Sequence, residues 1–230
     1  MQASRTSRRH VASNRGEKYK RILDAALHVF ARDGYHEAKI AEIARVANVA
    51  SGTIYLYFKN KDDLLISVFE AKLEEIVIGV RNRLADATGA WEKIQSFVRF
   101  HLSLATDPDL NAFVTVELRR SAKFIKGYPK HRFGVYLDEL GNAINQAKAE
   151  GLYPSEMRTG ILKHLIFGAL DHACMVWIIN PRRTPEDLVA VGNQLLAMIH
   201  PTARGLIDGA VLPREPLAPP SLAATARRTE

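Results

Sequence analysis

Cysteine is nearly absent: Cys174 is the single one in 230 residues. No intramolecular disulfide can staple this chain, which suits a reducing cytoplasm. No run of about 18 residues is both apolar and free of charge, so no membrane span is expected. The start, MQASRTSRRHVASNRGEKYKR, is basic but no apolar stretch follows it, so it does not read as a secretory signal. Strand-type alternation and internal repeats are missing. So are the H-E-x-x-H and C-x-x-C spacings of metal sites, the G-x-S-x-G elbow, the Walker loop and the G-x-G-x-x-G turn. Asp171, His172 and Cys174 are too close in sequence to converge from one helix, which argues against a nucleophilic triad. No catalytic residue, metal ligand or cofactor is therefore expected, and the chain does not read as an enzyme.

Acidic charge is scarce where it matters most. Residues 1–21 hold seven basic side chains against Glu17 alone, a net of +6, and residues 22–61 add +1. The other 169 residues carry 20 basic and 20 acidic groups and are neutral. The whole excess of +7 thus lies at one end. A basic end on a neutral body is the electrostatic footprint of a nucleic-acid binder, and its alternative is a solubilising tail.

What stands beside that charge is the stretch Asn48 to Lys61, NVASGTIYLYFKNK. Val49, Ile54 and Phe58 have helical spacing. With about 100° per residue, Phe58 falls near 40° from Ile54, while Gly52, Thr53 and Leu56 gather on the far side with Tyr55 and Tyr57 on the flanks. An outer face of glycine, hydroxyls and a bare leucine, without charge, is shaped for close contact. Upstream, Tyr19, Ile22, Leu23, Ala26, Leu27 and Phe30 mark a first helix ending at Gly34, and Ile40, Ile43, Ala44 and Ala47 a second, short one. Two short helices across a tight turn at Asn48, after a longer support, make a helix-turn-helix unit whose last helix reads the major groove. In that geometry a helix starting near Ser51 presents its Gly52 backbone, the Thr53 hydroxyl and the Leu56 side chain to base edges. Tyr55, Tyr57, Lys59 and Lys61 meet phosphates, and the arginines of residues 1–14, expected to be aperiodic and mobile, follow an adjacent minor groove. The alternative is a hairpin whose tyrosines meet a protein.

Asn60, with Asp63 three residues on, predicts a capped helix that runs to about Asp86 and links this unit to the rest. Further helices are predicted over 91–106, 108–122, 128–150, 155–179 and 184–200, roughly nine in all. Ser155 is read as the cap of the fourth of these five, and Thr184-Pro185 as the start of the last. Residues 201–230 are rich in Pro, Ala and Arg and read as a disordered tail. The expected organisation is all-α: an arm over 1–14, a helix-turn-helix domain over 15–61, a helical ligand-binding and dimerisation domain over 62–200, and the tail.

The run Gly52-Thr-Ile-Tyr-Leu-Tyr-Phe-Lys-Asn-Lys61 resembles the signature of the TetR family of bacterial transcription regulators, and the likeness covers roughly 17–65. The resemblance implies that Thr53, Tyr55, Leu56, Tyr57 and Lys61 meet DNA. Two positions depart from the family pattern. Ala38 and Lys39 stand where one or two threonines usually open the second helix, leaving Lys39 to reach a phosphate, and Asn48 stands for the usual glycine. The runs GTIYLYFKNKDDLLISVF, VELRRS and HLIFGALDHACMVWIIN look like the FadR-type subgroup, which represses fatty-acid-degradation genes and leaves DNA on binding long-chain acyl-CoA. This implies a cytoplasmic homodimeric repressor on a palindromic operator, with half-sites about one helical turn (~34 Å) or a little more apart. The dimer would join through the last two helices, around 161–179 and 188–198, where Gly168, Ala169, Ala173 and Gly192 permit close packing. A TetR-type regulator of efflux with another hydrophobic inducer shares every motif of the DNA unit; an acyl-CoA-handling enzyme or a helical adaptor is the reading from a different class.

An acyl-CoA needs an apolar tunnel and a basic mouth. Phe97, Phe100, Leu104, Phe113, Phe124, Tyr136, Phe167 and Trp177 are candidates for the first, or are ordinary core. Arg119, Arg120 and Lys123 begin a run of six basic residues in fourteen positions, a mouth or a solvated face. Glu117 with Arg120 is spaced for a buried ion pair or a ligand clamp. His101 and His172 complete the candidate ligand set.

Overall fold

The computed structural model describes residues 3–108, 130–180, 182 and 184–200. Among them the chain forms eight helices and no strand: α1 Ala3–Asp33, α2 Ile40–Val46, α3 Ser51–Tyr55, α4 Lys61–Ala85, α5 Ala90–Thr106, α6 Lys130–Ala149, α7 Thr159–Ile179 and α8 Pro185–Ile199. The expected helix over 109–122, the tail over 201–230, and Phe113, Glu117, Arg119, Arg120, Lys123 and Phe124 lie outside the described residues.

The apolar spacing of α1 buries Ile22, Leu23, Ala26, Leu27 and Phe30 against Ile43, Ala44, Ile54, Phe58, Leu64 and Leu65. Phe30 ends the stripe because Gly34 turns the chain at φ +77°, its N–H reaching the Phe30 carbonyl at 3.0 Å. One expectation needs correction here. The stretch over 1–14, read as an aperiodic mobile arm, is helical from Ala3 and continuous with α1. It has no apolar period to reveal a helix, yet no glycine or proline interrupts it before Gly16.

Asn48 ends α2 with φ 53°. The N–H of Asn48 reaches the Arg45 carbonyl (3.2 Å) and that of Val49 reaches Ala44 (2.9 Å), the paired bonds of a Schellman turn. Asparagine holds the left-handed conformation that usually falls to glycine, as the TetR pattern has it. Asn48→Val is expected to lower unfolding free energy by about 1–2 kcal/mol, since a Cβ-branched residue strains there, and Asn48→Gly to cost nothing. Urea titration of both variants checks this.

α4 begins at the predicted cap. Asn60 Oδ1 accepts from the Asp63 N–H at 2.8 Å, and Asp63 returns the bond to the Lys59 N–H, also 2.8 Å, rather than to Asn60 itself. Twenty-five residues long, α4 packs on α1 at its start and on α5 and α6 further along, so one continuous core joins the two regions. The helix expected from Ser155 starts instead at Thr159. Pro154 and Met157 close a separate turn (3.1 Å), and the buried Tyr153 donates its hydroxyl to the Ile199 carbonyl at 2.7 Å. The α6 terminus and the start of α7 are thus pinned under α8.

α7 also revises the reading of the apolar runs. It is long and apolar enough to cross a membrane by length and composition, with mean hydropathy 1.4 over its best window. Lys163 and Asp171 hid this by interrupting the run. Lys163 is held in an ion pair to Asp138 of α6 at 2.7 Å, so the helix is docked on this chain along one side. Ile161, Leu165 and Ile179 remain exposed on the other, and Val189 and Met198 of α8 are exposed as well.

Candidate DNA-reading face and interior cluster

α3 is short because its buried stake is small: Ile54 within it, and Phe58 just past it, insert into the core. The amide N–H groups of Leu56, Tyr57 and Phe58 continue the turn onto the carbonyls of Thr53 and Ile54. Facing away are Ser51, Gly52, Tyr55 and Leu56, with Thr53 half-buried at the edge; Leu56 is 76% exposed. A large aliphatic side chain left that bare is costly in water and favourable against a thymine methyl. Gly52 has open space where a Cβ would stand. Gly52→Ala is therefore expected to raise the melting temperature slightly, by helix propensity, while weakening operator affinity severalfold because the backbone can no longer approach as closely. Thermal melts beside DNA-binding titrations separate the two effects.

The flanking groups divide. Lys59 and Lys39 are exposed, and Lys39 makes no capping bond, so both ammonium groups are available to phosphates. Tyr57 is half-buried: its hydroxyl points to the Arg15 carbonyl at 3.4 Å, its ring lies beside Tyr19, and the Arg15 guanidinium sits 5.7 Å from its centre. Lys61 has another task than the one expected. Its Nζ donates to the carbonyls of Ala38 (2.7 Å) and His36 (3.0 Å) and lies 4.6 Å from the centre of the Tyr35 ring. Its charge satisfies the backbone ahead of α2, whereas its neighbour Lys59 is exposed.

A brace that sequence reading missed ties α1 to α2. Glu42 takes Arg45 at 2.8 Å and Arg32 at 3.1 Å, and Arg32 also grips Asp33. Bonds from Arg45 and then Arg32 hold the Glu42 carboxyl down to about 2. The three-residue step from Glu42 to Arg45 was the available signal.

The second region gathers three of its predicted aromatics. Phe97 and His101 of α5, Tyr136 of α6 and Phe167 of α7 form one cluster, with Phe97 to Tyr136 at 4.9 Å and His101 edge-on to Phe167 at 5.3 Å between ring centres. Leu104 is buried on the same helix as Phe97. Phe133, absent from the candidate set, meets Phe167 edge-on with ring centres 5.1 Å apart. His101 is buried, its Nδ1 2.9 Å from the Tyr136 hydroxyl. Burial pushes His101 down to about 4 and the Cys174 thiol up to about 12, so both are neutral at pH 7. Phe100 packs against α4, where a Cβ on Gly79 would come 2.9 Å from its ring.

Three expectations fail in this region. His172 is exposed on α7 and faces away from the cluster. Trp177 donates its indole N–H to the Thr184 carbonyl at 2.8 Å and so braces the α7–α8 connection. Gly192, expected to ease subunit packing, is buried within its own chain: a Cβ there would stand 2.8 Å from Leu102 Cδ1. No group of His, Cys, Asp and Glu among the described residues is arranged to hold a metal ion.

A basic-flanked α2–turn–α3 face carried on α1, joined by α4 to a second helical region, is also what the comparisons find. Residues 22–68 match the family of bacterial regulatory proteins called tetR, and residues 69–201 match the C-terminal region of YsiA-like proteins. The chain belongs to the tetR family. This tetR-family regulator is 34% identical over 183 residues to the fatty acid metabolism regulator protein of Bacillus subtilis (strain 168), covering 79% of this chain and 93% of that one. Its fold superimposes on the fatty acid degradation regulator FadR from Bacillus halodurans with TM-score 0.69 at 34% identity, over 78% and 96% of the two chains. It superimposes on FadR from Bacillus subtilis in complex with stearoyl-CoA with TM-score 0.71 at 29% identity, over 81% and 100%. The protein is a DNA-binding transcription regulator of the tetR type, related to regulators of fatty acid metabolism, and not an enzyme.

Proposed function

We propose that this tetR-family protein is a cytoplasmic homodimeric repressor of fatty acid metabolism genes, released from a palindromic operator by a long-chain acyl-CoA. The observation that carries the reading is the stearoyl-CoA held by the FadR relative of the same fold. The aromatic cluster of Phe97, Tyr136, Phe133 and Phe167 gives an acyl chain an apolar interior. The exposed apolar side chains of α7 and α8, Ile161, Leu165, Ile179, Val189 and Met198, supply the subunit contact. The reading face is Ser51, Gly52, Thr53, Tyr55 and Leu56, with Lys39 and Lys59 on phosphates.

Ligand acts by preferring the dimer in which the two reading helices no longer match the operator spacing; a tenfold preference supplies about 1.4 kcal/mol per site. Acyl-CoAs of increasing chain length, added to the protein–operator complex, are expected to release DNA, with the longer chains effective at lower concentration. No release at any length would overturn the inducer and leave DNA binding standing.

A further inference from the structure

Of the described residues, two with basic side chains are buried in the core, His101 and Lys72. His101 has Tyr136 beside it. Lys72 is less well provided for. It lies in the second quarter of α4 with its side chain only 10% exposed, and its Nζ bonds to Glu75 Oε2 at 2.8 Å. Glu75 is half exposed and sits at the rim. Among the described residues no other acceptor meets the ammonium, although it has three hydrogens to donate. A buried cation with one solvated partner is an expensive arrangement for a fold to keep, since an apolar side chain of the same length would pack there at no such cost.

The place of Lys72 on α4 says what the charge is for. Seven residues on, two turns along the same face, is Gly79, and the Phe100 ring lies on it. Val68 and Ile76, one turn to either side, are buried on this face. Lys72 therefore shares the α4 surface that the ring of Phe100 meets, about 10 Å nearer the DNA-reading unit. An amphipathic molecule with its tail along α5 would bring its head to this ammonium.

We infer that Lys72 is the anion contact of the inducer site, binding a carboxylate or phosphate of an otherwise apolar ligand. The inference rests on the inducer reading above and adds the residue that selects for charge. It also explains how occupancy is felt. The anion draws on a side chain of α4, the helix that starts at the reading unit, while the tail presses on Phe100 against the same helix.

The test uses full-length protein on its operator, with Lys72→Met, Lys72→Gln and Lys72→Arg beside the unsubstituted chain. Three probes are titrated: palmitoyl-CoA, palmitate, and S-palmitoyl-pantetheine, which keeps the thioester and lacks the phosphates. Lys72→Met and Lys72→Gln are expected to keep operator affinity without ligand and to raise the half-release concentration of the charged inducer about tenfold or more. The response to S-palmitoyl-pantetheine is expected to be unchanged, and Lys72→Arg to restore the original sensitivity. A loss confined to palmitoyl-CoA identifies phosphate as the bound group, and one confined to palmitate identifies carboxylate. Equal loss toward all three probes would make Lys72 a packing residue, and no loss toward any would leave it without a ligand role; either result overturns the inference alone. Failure of all three probes on the unsubstituted protein would overturn the inducer reading with it.

Discussion

Leu56→Glu is expected to weaken operator binding by about 100-fold, close to 3 kcal/mol, and to leave the melting temperature unchanged. The two halves of that result come from the same geometry. Leu56 is 76% exposed, one residue past the end of α3, and its side chain supports nothing in the fold. In the groove it is the one large apolar group on the reading face, and a carboxylate there loses the contact with a thymine methyl. It also enters the phosphate field with the wrong sign. Leu56→Ala separates these terms: it removes the contact alone, and a loss nearer tenfold is expected. Fluorescence anisotropy with labelled operator at several salt concentrations provides the measurement. Lys59→Ala serves as the contrasting case, since losing a phosphate contact lowers affinity across all sequences and flattens the salt dependence by about one unit of slope. An unaltered affinity for Leu56→Glu would remove α3 from the groove.

Acid is expected to begin destabilising the fold above the range in which carboxylates titrate. His101 is held neutral by burial, its folded value about 4, while the unfolded chain returns to about 6.5. Between these values the unfolded state binds the extra proton, so stability is full above pH 6.5 and declines as pH falls toward 4. The loss across that window is on the order of 3 kcal/mol at 1.36 kcal/mol per unit, a large share of the stability of a chain this size. Glu42, held at about 2 by its arginines against an ordinary value of 4.5, adds its own loss as pH falls between those two values, so the His101 loss is read separately above pH 4.5. Replacing His101 and Tyr136 together by Phe should flatten the slope between pH 6.5 and 4 without leaving a buried hydroxyl unpaired. Replacing His101 alone should flatten it at a general cost in stability. Urea unfolding at half-unit pH steps checks both.

Much of this was legible in the chain before its fold was known, for reasons that differ by region. In the helix-turn-helix unit the turns and the cap were readable because their signals are local. Gly34 and Asn48 have to turn the chain, Asn60 has to cap α4, and the apolar stripe of α1 has no second place to go. Lys61 was misread because its partners, the carbonyls of His36 and Ala38, are set by the approach of α4 to the α1–α2 turn. No local pattern announces a backbone acceptor more than twenty residues away. In the second region the helices were legible and their rotations were not. Phe97 and Tyr136 are buried and Phe167 and Trp177 pack partly buried on the core, yet His172, from the same apolar run, is exposed. α7 is apolar nearly all round, so its periodicity could not say which side meets α5 and α6. Lys72 passed unnoticed because a lysine in an amphipathic helix is ordinarily a solvent-facing residue, and only its burial gives it meaning.

The grip of Lys61 on the carbonyls ahead of α2 has a mechanical consequence. With its first residue fastened to the α1–α2 turn and its cap shared by Asn60, Asp63 and Lys59, α4 has no hinge where it meets the reading unit. Any swing of its far end is delivered as rotation of α1, α2 and α3 together. At about 1.5 Å per residue the helix is a lever close to 37 Å long. A tilt of only about 5° then moves one end by about 3 Å relative to the other, close to the rise of one base pair. Two such levers, turned oppositely by the symmetry of a dimer, would put the reading heads out of step with a duplex that cannot stretch to follow.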